Sequence, residues 1–412
     1  MLLVMFWNLE NFFDPFPGNS GIKNLNADVG AEEPYTPRGE KFWTWKKFER
    51  KRDDIARTVA LVKEEYNLFP AIIGLAEVEN RFVLNQLVQN SILAPLGYNI
   101  IHRDSPDRRG IDVALLYRAS QFRPVAVEFV PLREPALASS VLENHKDSTQ
   151  IGMIVPTREM LYVKGVLNEF DTLHLFVVHW PSKLGGKESV ARREEAARGL
   201  VLRWDSITAV NPGANLIVMG DFNDDLADNA TLCAGSLTKI CSVRTSREDA
   251  AGKEAAKRGT AREKTAGEGA VMRGAAKENT AGKEAAKRET AREKTAGEGA
   301  VMRGTAKENT AGKGVAMLDN ARRNNVGGTY KYKGKWERID HFLVSRQMLG
   351  SEGLKYLYCR EDGCDIFAHP FLLEHDKNYL GYKVRRTLVG PRYNGGVSDH
   401  LPILLRVYGY AF

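Results

Sequence analysis

Apolar residues in this chain come in short unbroken runs rather than in long amphipathic stripes. "LLVMFWNL", "AIIGLAEV", "DVALLYR", "LHLFVVHW", "NLIVMGDF", "RIDHFLVS" and "LPILLRV" are each too short for an ordinary helix and rich in β-favouring residues. Continuous apolarity, as opposed to strict alternation, predicts strands buried on both faces. Between them the period changes. In "TWKKFERKRDDIARTVALVKEEY", Trp45, Phe48, Ile55, Val59, Val62 and Tyr66 recur at three- and four-residue spacing, which predicts a helix with one apolar face. A second helix is expected over Lys187 to Trp204, and "GTYKYKGKWERIDHFLVS" reads as a hairpin leading into another central strand. The alternation predicts an α/β protein with a mixed sheet, or a pair of sheets, under helices.

One stretch breaks the pattern. Residues 251–280 recur as 281–310 with two differences, Gly259 against Glu289 and Ala275 against Thr305, and from Ala250 to Met317 there is no Phe, Tyr, Trp, Leu, Ile or Pro. Such a segment cannot bury enough apolar surface to offset its chain entropy. Residues 247–323 are therefore expected to be an inserted low-complexity loop, mostly disordered. Residues 1–246 and 324–412 are expected to form a single domain around it. The insertion also changes the meaning of the charge. Of a formal net charge of +7, six units lie in residues 247–323, which hold 18 Lys and Arg against 12 Asp and Glu. The remainder is near neutral, so the basic pI by itself says little about the substrate. A flexible basic tether for polyanions is one reading of the insert; a tolerated insertion at a loop tip is the preferred one.

Four cysteines, Cys233, Cys241, Cys359 and Cys364, lack zinc-site spacing and are too few to staple 412 residues, so they are expected to be reduced. No run is long enough to span a bilayer and no secretory leader is visible, which makes a cytoplasmic monomer the default expectation.

The candidate chemistry gathers where strands end. "GDFNDD" places Asp221, Asn223 and Asp225 at the first, third and fifth positions of a calcium loop, but Leu226 and Leu232 stand where that loop needs glycine and a bidentate glutamate. The loop instead follows a strand, as ligand-binding loops in open α/β sheets do. Asn8 and Glu10, then Glu77, Glu79 and Asn80, then His179, Asp221 with Asn223, Asp340 with His341, and Asp399 with His400 all stand at or beside strand ends. One such residue would be an ordinary turn former. Five strand ends bearing hard oxygen donors and imidazoles, without thiolates, suit Mg²⁺ or Mn²⁺ and an oxyanionic substrate such as a phosphoester.

"FWNLENFFD", "GLAEVEN", "RRGIDVALLYR", "VVHWPSK", "GDFND", "RIDHFLVS" and "SDHLPI", in that order, resemble the endonuclease/exonuclease/phosphatase superfamily over almost everything outside the repeat. The resemblance implies a four-layer α/β sandwich, two facing mixed β-sheets flanked by helices, and metal-dependent phosphoester hydrolysis. It implies Glu77 as principal metal ligand, with Asn8 beside it for metal or phosphate and Asp399 touching the metal directly or through water. It implies Asp221 as general base and Asn223 as the holder of the water or a phosphate oxygen. It further implies His400 as phosphate ligand oriented by Asp340, and His179 as phosphate ligand near the leaving group. A nuclease-like phosphodiesterase is the expected activity, with nucleic acid a possible substrate. The alternatives are a phosphatase or sphingomyelinase-like phosphodiesterase on the same scaffold, and a non-catalytic polyanion-binding protein. Glu79, Glu10, Asp112, His341, Arg108, Arg109, Lys183 and Lys187 are expected to be structural or solvated neighbours.

Overall fold

A computed structural model describes residues 1–16, 34–133, 154–167, 171–183, 186–224, 240–242, 326–349 and 357–409. These belong to the larger of two units, Met1–Thr245 with Val315–Phe412; the other, Ser246–Gly314, and with it the expected insert at 247–323, lies outside the described residues. In chain order the strands begin with β1 (Leu2–Phe12), β2 (Ile72–Val78), β3 (Tyr98–His102), β4 (Asp112–Arg118), β5 (Phe122–Val130), β6 (Met160–Leu167), β7 (Asp171–His179) and β8 (Asn215–Asp221). They continue with β9 (Ile240–Ser242), the hairpin β10 (Tyr330–Tyr332) and β11 (Lys335–Glu337), then β12 (Asp340–Ser345) and β13 (Leu357–Ile366). Short ribbons β14 (Leu373–His375) with β15 (Tyr382–Val384), and β16 (Leu388–Val389) with β17 (Arg392–Tyr393), precede the last strand, β18 (Ile403–Gly409). The helices are α1 (Trp45–Tyr66), α2 (Arg81–Gln89) and α3 (Gly186–Val210).

Both six-stranded sheets are mixed. The first runs β13-β18-β1-β2-β4-β3 and the second β5-β6-β7-β8-β12-β9. Each has one parallel pair at its centre, β1 with β2 and β7 with β8, and each pair is joined by a helix, α1 or α3. A parallel pair needs such a crossover, and the carboxyl ends of its two strands then open on the same side.

The packing explains the unbroken apolar runs. From β1, Leu3, Met5 and Trp7 pack with Phe48, Ile55, Val59 and Val62 of α1. The alternate residues Leu2, Val4 and Phe6 pack with Leu173, Leu175 and Val177 of β7 and Ile217 and Met219 of β8. On the far side, Phe176, Val178, Leu216 and Val218 meet Ala197, Leu200 and Trp204 of α3. The order is helix, sheet, sheet, helix, and each fully buried Leu or Phe contributes roughly 1.5–3 kcal/mol relative to exposure. α1 starts at Thr44, whose hydroxyl accepts from the Lys47 backbone N–H, and ends at Asn67 in the left-handed region. The second expected helix runs longer than its apolar spacing indicated, from Gly186 to Val210. Cys359 and Cys364 are buried free thiols. Among the described residues no helix is long and apolar enough to cross a membrane.

Candidate active site

Strand register assembles the site. In the second sheet His179 pairs with Asp221 across β7 and β8, and Asp221 pairs with Asp340 across β8 and β12, so one row carries three polar side chains. Directly opposed residues on neighbouring strands share a face of the sheet. Gly220, just before Asp221, is dictated by a neighbour: a Cβ there would lie 2.2 Å from the Val178 carbonyl oxygen. In the first sheet Asn8 pairs with Ala76, and the ladder then bulges before Phe12 pairs with Val78. The bulge is strained. Glu10, Asn11 and Glu77 have φ of 48°, 55° and 60°, and Asn223 has φ of 50°. Non-glycine residues in this region cost on the order of 1–3 kcal/mol each and gather at functional sites.

The two sheets bring the eight expected residues into one network. The Asn8 side-chain amide donates to Asp221 Oδ2 at 3.0 Å, and Asp221 Oδ1 accepts from the Asn223 backbone N–H at 2.8 Å. His179 Nε2 lies 3.6 Å from Asp221 Oδ2 and 3.8 Å from Glu77 Oε1, bridging the two acids. His400 donates from Nδ1 to Asp340 Oδ2 at 2.8 Å, and its Nε2 lies 3.8 Å from Asp221 Oδ2 and 3.9 Å from Asp399 Oδ1. One amide hydrogen of Asn223 goes to the Trp180 carbonyl at 2.9 Å. Asn8 is thus tied to Asp221 rather than to Glu77.

These contacts set the charges. Burial, with the Asp340 carboxylate close by, pushes Asp221 up to about 7. Burial opposes a charge on His400, yet Asp340, Asp221 and Asp399 outweigh it and hold the imidazole well above its usual range, as a cation. Burial, reinforced by Arg158, Arg109 and His400, keeps His179 well below its usual range and neutral. Burial also opposes ionisation of Asp399, but His400 and Arg386 hold it below the usual carboxylate range.

The residues read as neighbours divide. His341 meets Phe222 edge to face and contacts the Asp224 carbonyl through Nε2, turned away from the row. Glu79 accepts from the Asp14 backbone, Asp112 is buried against His102 and Ser105, and Lys183 pairs with Glu337. Glu10 is not solvated: it is buried, accepts from the Thr387 N–H at 2.7 Å, and is pushed up to about 7 by burial and by Asp399. Arg109 reaches the mouth, 3.7 Å from Glu77 Oε1.

Four participants went unnoticed in the sequence. Arg386 binds Asp399, Ser398 donates to the Asn8 carbonyl, and Trp7 Nε1 donates to the His400 carbonyl at 2.8 Å. Lys51 is buried and donates to the Glu10 carbonyl and the Thr387 hydroxyl, both at 2.6 Å. Only Lys51 carried a signal, since it falls between Phe48 and Ile55 on the apolar stripe of α1.

The donor set fits a hard divalent cation. Glu77 Oε2 accepts from the Asn11 N–H at 2.9 Å, while Oε1 has only the longer approaches of Arg109 and His179. Asn8 Oδ1 and Asp399 Oδ1 are further oxygen donors, and among the described residues the site holds no thiolate. Ligand atoms of Asp221, Asp340 and His400 also lie within 4.8 Å of one another, with His400 Nδ1 already hydrogen-bonded to Asp340 Oδ2.

Solved structures similar to this chain include a mannosyl-6-phosphatase from Bacteroides thetaiotaomicron VPI-5482, at 13% identity and TM-score 0.47 over 99% of this chain and 100% of that one. An endonuclease/exonuclease/phosphatase family protein from Bacteroides thetaiotaomicron matches at 14% and 0.46, over 98% and 97%. A humanized D. rerio TDP2 matches at 12% and 0.43, over 99% and 98%. No curated protein matches the chain. The sequence model of one family matches residues 3–254 and 295–408, the segments that carry every residue of the network. With that match over most of its length, the chain belongs to the endonuclease/exonuclease/phosphatase family.

Proposed function

We propose that the chain hydrolyses a phosphodiester, with Asp221 as the base that takes a proton from the attacking water. The observation that carries this reading is the pairing of a carboxylate pushed up to about 7 with a cationic His400 across 3.8 Å, beside a neutral His179. A base works best with a pKa near the operating pH, and Asp221 has one. His400 offsets charge on the phosphate, and Asp340 holds its Nδ1 proton so that Nε2–H faces the substrate. His179, bridging toward Glu77, donates to the oxygen on the leaving-group side. Asn8 and the Asn223 backbone N–H fix the Asp221 carboxylate, so its rotamer needs no rearrangement at the moment of reaction. Glu77, with Asn8 and Asp399 as further donors, would hold a divalent cation, Mg²⁺ or Mn²⁺, which would supply charge neutralisation at the phosphate. Arg386 is already matched to Asp399, so the fixed positive charge suits a singly charged diester better than a doubly charged monoester.

The test is turnover of a phosphoester panel with Mg²⁺ or Mn²⁺: plasmid DNA, RNA, bis-p-nitrophenyl phosphate, sphingomyelin, sugar and inositol phosphates. Diesters should be cleaved, and Asp221→Asn should lower kcat by about 10²–10⁴-fold with KM little changed. Cleavage of monoesters alone would replace this reading with a phosphatase. Binding of polyanions with no turnover at all would replace it with a binding protein.

A further inference from the structure

The hairpin β10–β11 begins at the catalytic histidine: Tyr330 forms a bridge with His400, and their rings lie 5.1 Å apart. The next residue, Lys331, turns inward and is almost buried. Its ammonium pairs with Asp376 at 3.0 Å and donates to the Leu380 and Tyr382 carbonyls. One buried lysine therefore ties the hairpin to the loop between β14 and β15. The two also touch at their tips, where the Tyr379 ring lies so close to Gly334 that a Cβ there would fall 2.6 Å from it. The outer surface of this unit carries Tyr332 and Tyr379, each close to half exposed, and three exposed lysines, Lys333, Lys335 and Lys377. Its acids are matched: Asp376 by Lys331, Glu337 by Lys183 and Glu374 by Lys383. Among the described residues the three exposed lysines have no acidic partner. The ammonium of Lys333 instead lies 5.3 Å from the centre of the Tyr332 ring.

We infer that this surface is a docking platform for a single strand of nucleic acid running away from the scissile phosphate. The inference rests on the phosphodiesterase reading for its register with the site. Lysines interleaved with tyrosine rings offer what a single strand presents, a line of phosphates and a series of base faces. Held by the Lys331 network, the platform loses little freedom on binding. Leu380 is the one fully projecting aliphatic side chain there, at 93% exposure, which is too little apolar surface for a membrane anchor.

The test is fluorescence anisotropy of a labelled oligothymidylate over a salt series, with every protein in the Asp221→Asn background to prevent cleavage. Tyr332→Ala with Tyr379→Ala should weaken binding about tenfold or more, as loss of base stacking does. Lys333→Gln with Lys335→Gln should lower the slope of log K against log salt by about 1–2. In the wild-type background the same substitutions should leave turnover of bis-p-nitrophenyl phosphate and the thermal transition unchanged, which separates a lost platform from a damaged fold. Unaltered oligonucleotide binding in both double variants would overturn the inference while leaving hydrolysis of the small diester, and so the proposed function, intact. Failure of the wild type on every diester would remove the proposed function, and the anisotropy would still decide the platform. Sedimentation with phosphatidylserine vesicles that is abolished by Leu380→Asp, with oligonucleotide binding unaffected, would likewise overturn it in favour of a membrane surface.

Discussion

Asp221 and His400 carry opposite shifts within one cluster, and each makes a prediction. On the proposed mechanism Asp221, pushed up to about 7, is protonated and unable to act as the base below that pH and competent above it. The acid limb of kcat/KM against pH should therefore rise to a plateau with its midpoint near 7, and vanish in Asp221→Asn. Asp340→Asn removes the anion that helps hold the His400 proton. The imidazole should then titrate at lower pH by NMR, with kcat down about 10²-fold. A third titration is independent of the site. His174 is pushed down to about 4 by burial and by Lys164 and Arg203, and its Nδ1 faces the Tyr162 hydroxyl at 2.8 Å. Its folded pKa lies below the unfolded value, so the unfolded chain binds the proton more tightly. Its contribution to stability is full above about 6.5 and is lost as pH falls toward 4. Denaturant midpoints should drop across that window, and less so in His174→Gln. At this scale the sequence was informative because the chemistry-bearing side chains follow apolar runs, as Asp221 follows "LIVMG". It was silent on Arg386 and Ser398, which lie in loops between strands and meet Asp399 and Asn8 only once the chain has folded. It left open whether Glu10 is structural or solvated, since a buried carboxylate in a bulge looks the same in a sequence as an exposed one.

Elements were legible in proportion to how fully they are buried. β1, β2, β4, β7, β8, β12 and β18 are the unbroken runs, and all seven are flanked by paired strands on both sides. β5, in contrast, is an edge strand reading "FRPVAVEFV", with Pro124 and exposed Val125 and Val127, a pattern too irregular to declare itself. α2 is only nine residues long and is capped by Asn80, whose side chain accepts from the Val83 N–H; in the sequence that asparagine stood only among the polar residues after a strand. Glycines sharpen the same point. Gly220→Ala should cost about 1–3 kcal/mol, because the new methyl meets backbone in β7 and the strands must part. Gly74→Ala meets the flexible end of Met219 at 2.8 Å and should cost less. Urea midpoints of the two variants should separate in that order; equal losses would mean that the Val178 carbonyl yields more readily than the geometry implies.

Across the whole molecule, the family profile matches residues 3–254 and 295–408 and leaves out 255–294, inside the expected insert at 247–323, which lies outside the described residues. A short Gly-Ser linker in place of 247–323 is expected to leave the thermal transition and small-diester turnover unchanged, measured by calorimetry and steady-state kinetics. A marked fall in either would mean that the segment supports the fold. Charge could not have revealed the docking platform, because the surplus in the sequence sits in 247–323 while Lys333, Lys335 and Lys377 stand in a near-neutral remainder. Strand order has a further consequence, for biosynthesis. The second sheet is built from residues between Phe122 and Ser345, but the first is closed by β18, which inserts between β13 and β1 and follows His400 by two residues. A chain emerging from the ribosome amino end first can hold Glu77, His179 and Asp221 well before it holds that histidine. On the proposed mechanism, phosphoester hydrolysis should switch on only when Ile403–Gly409 has left the tunnel, so a nascent chain short of that strand is inactive.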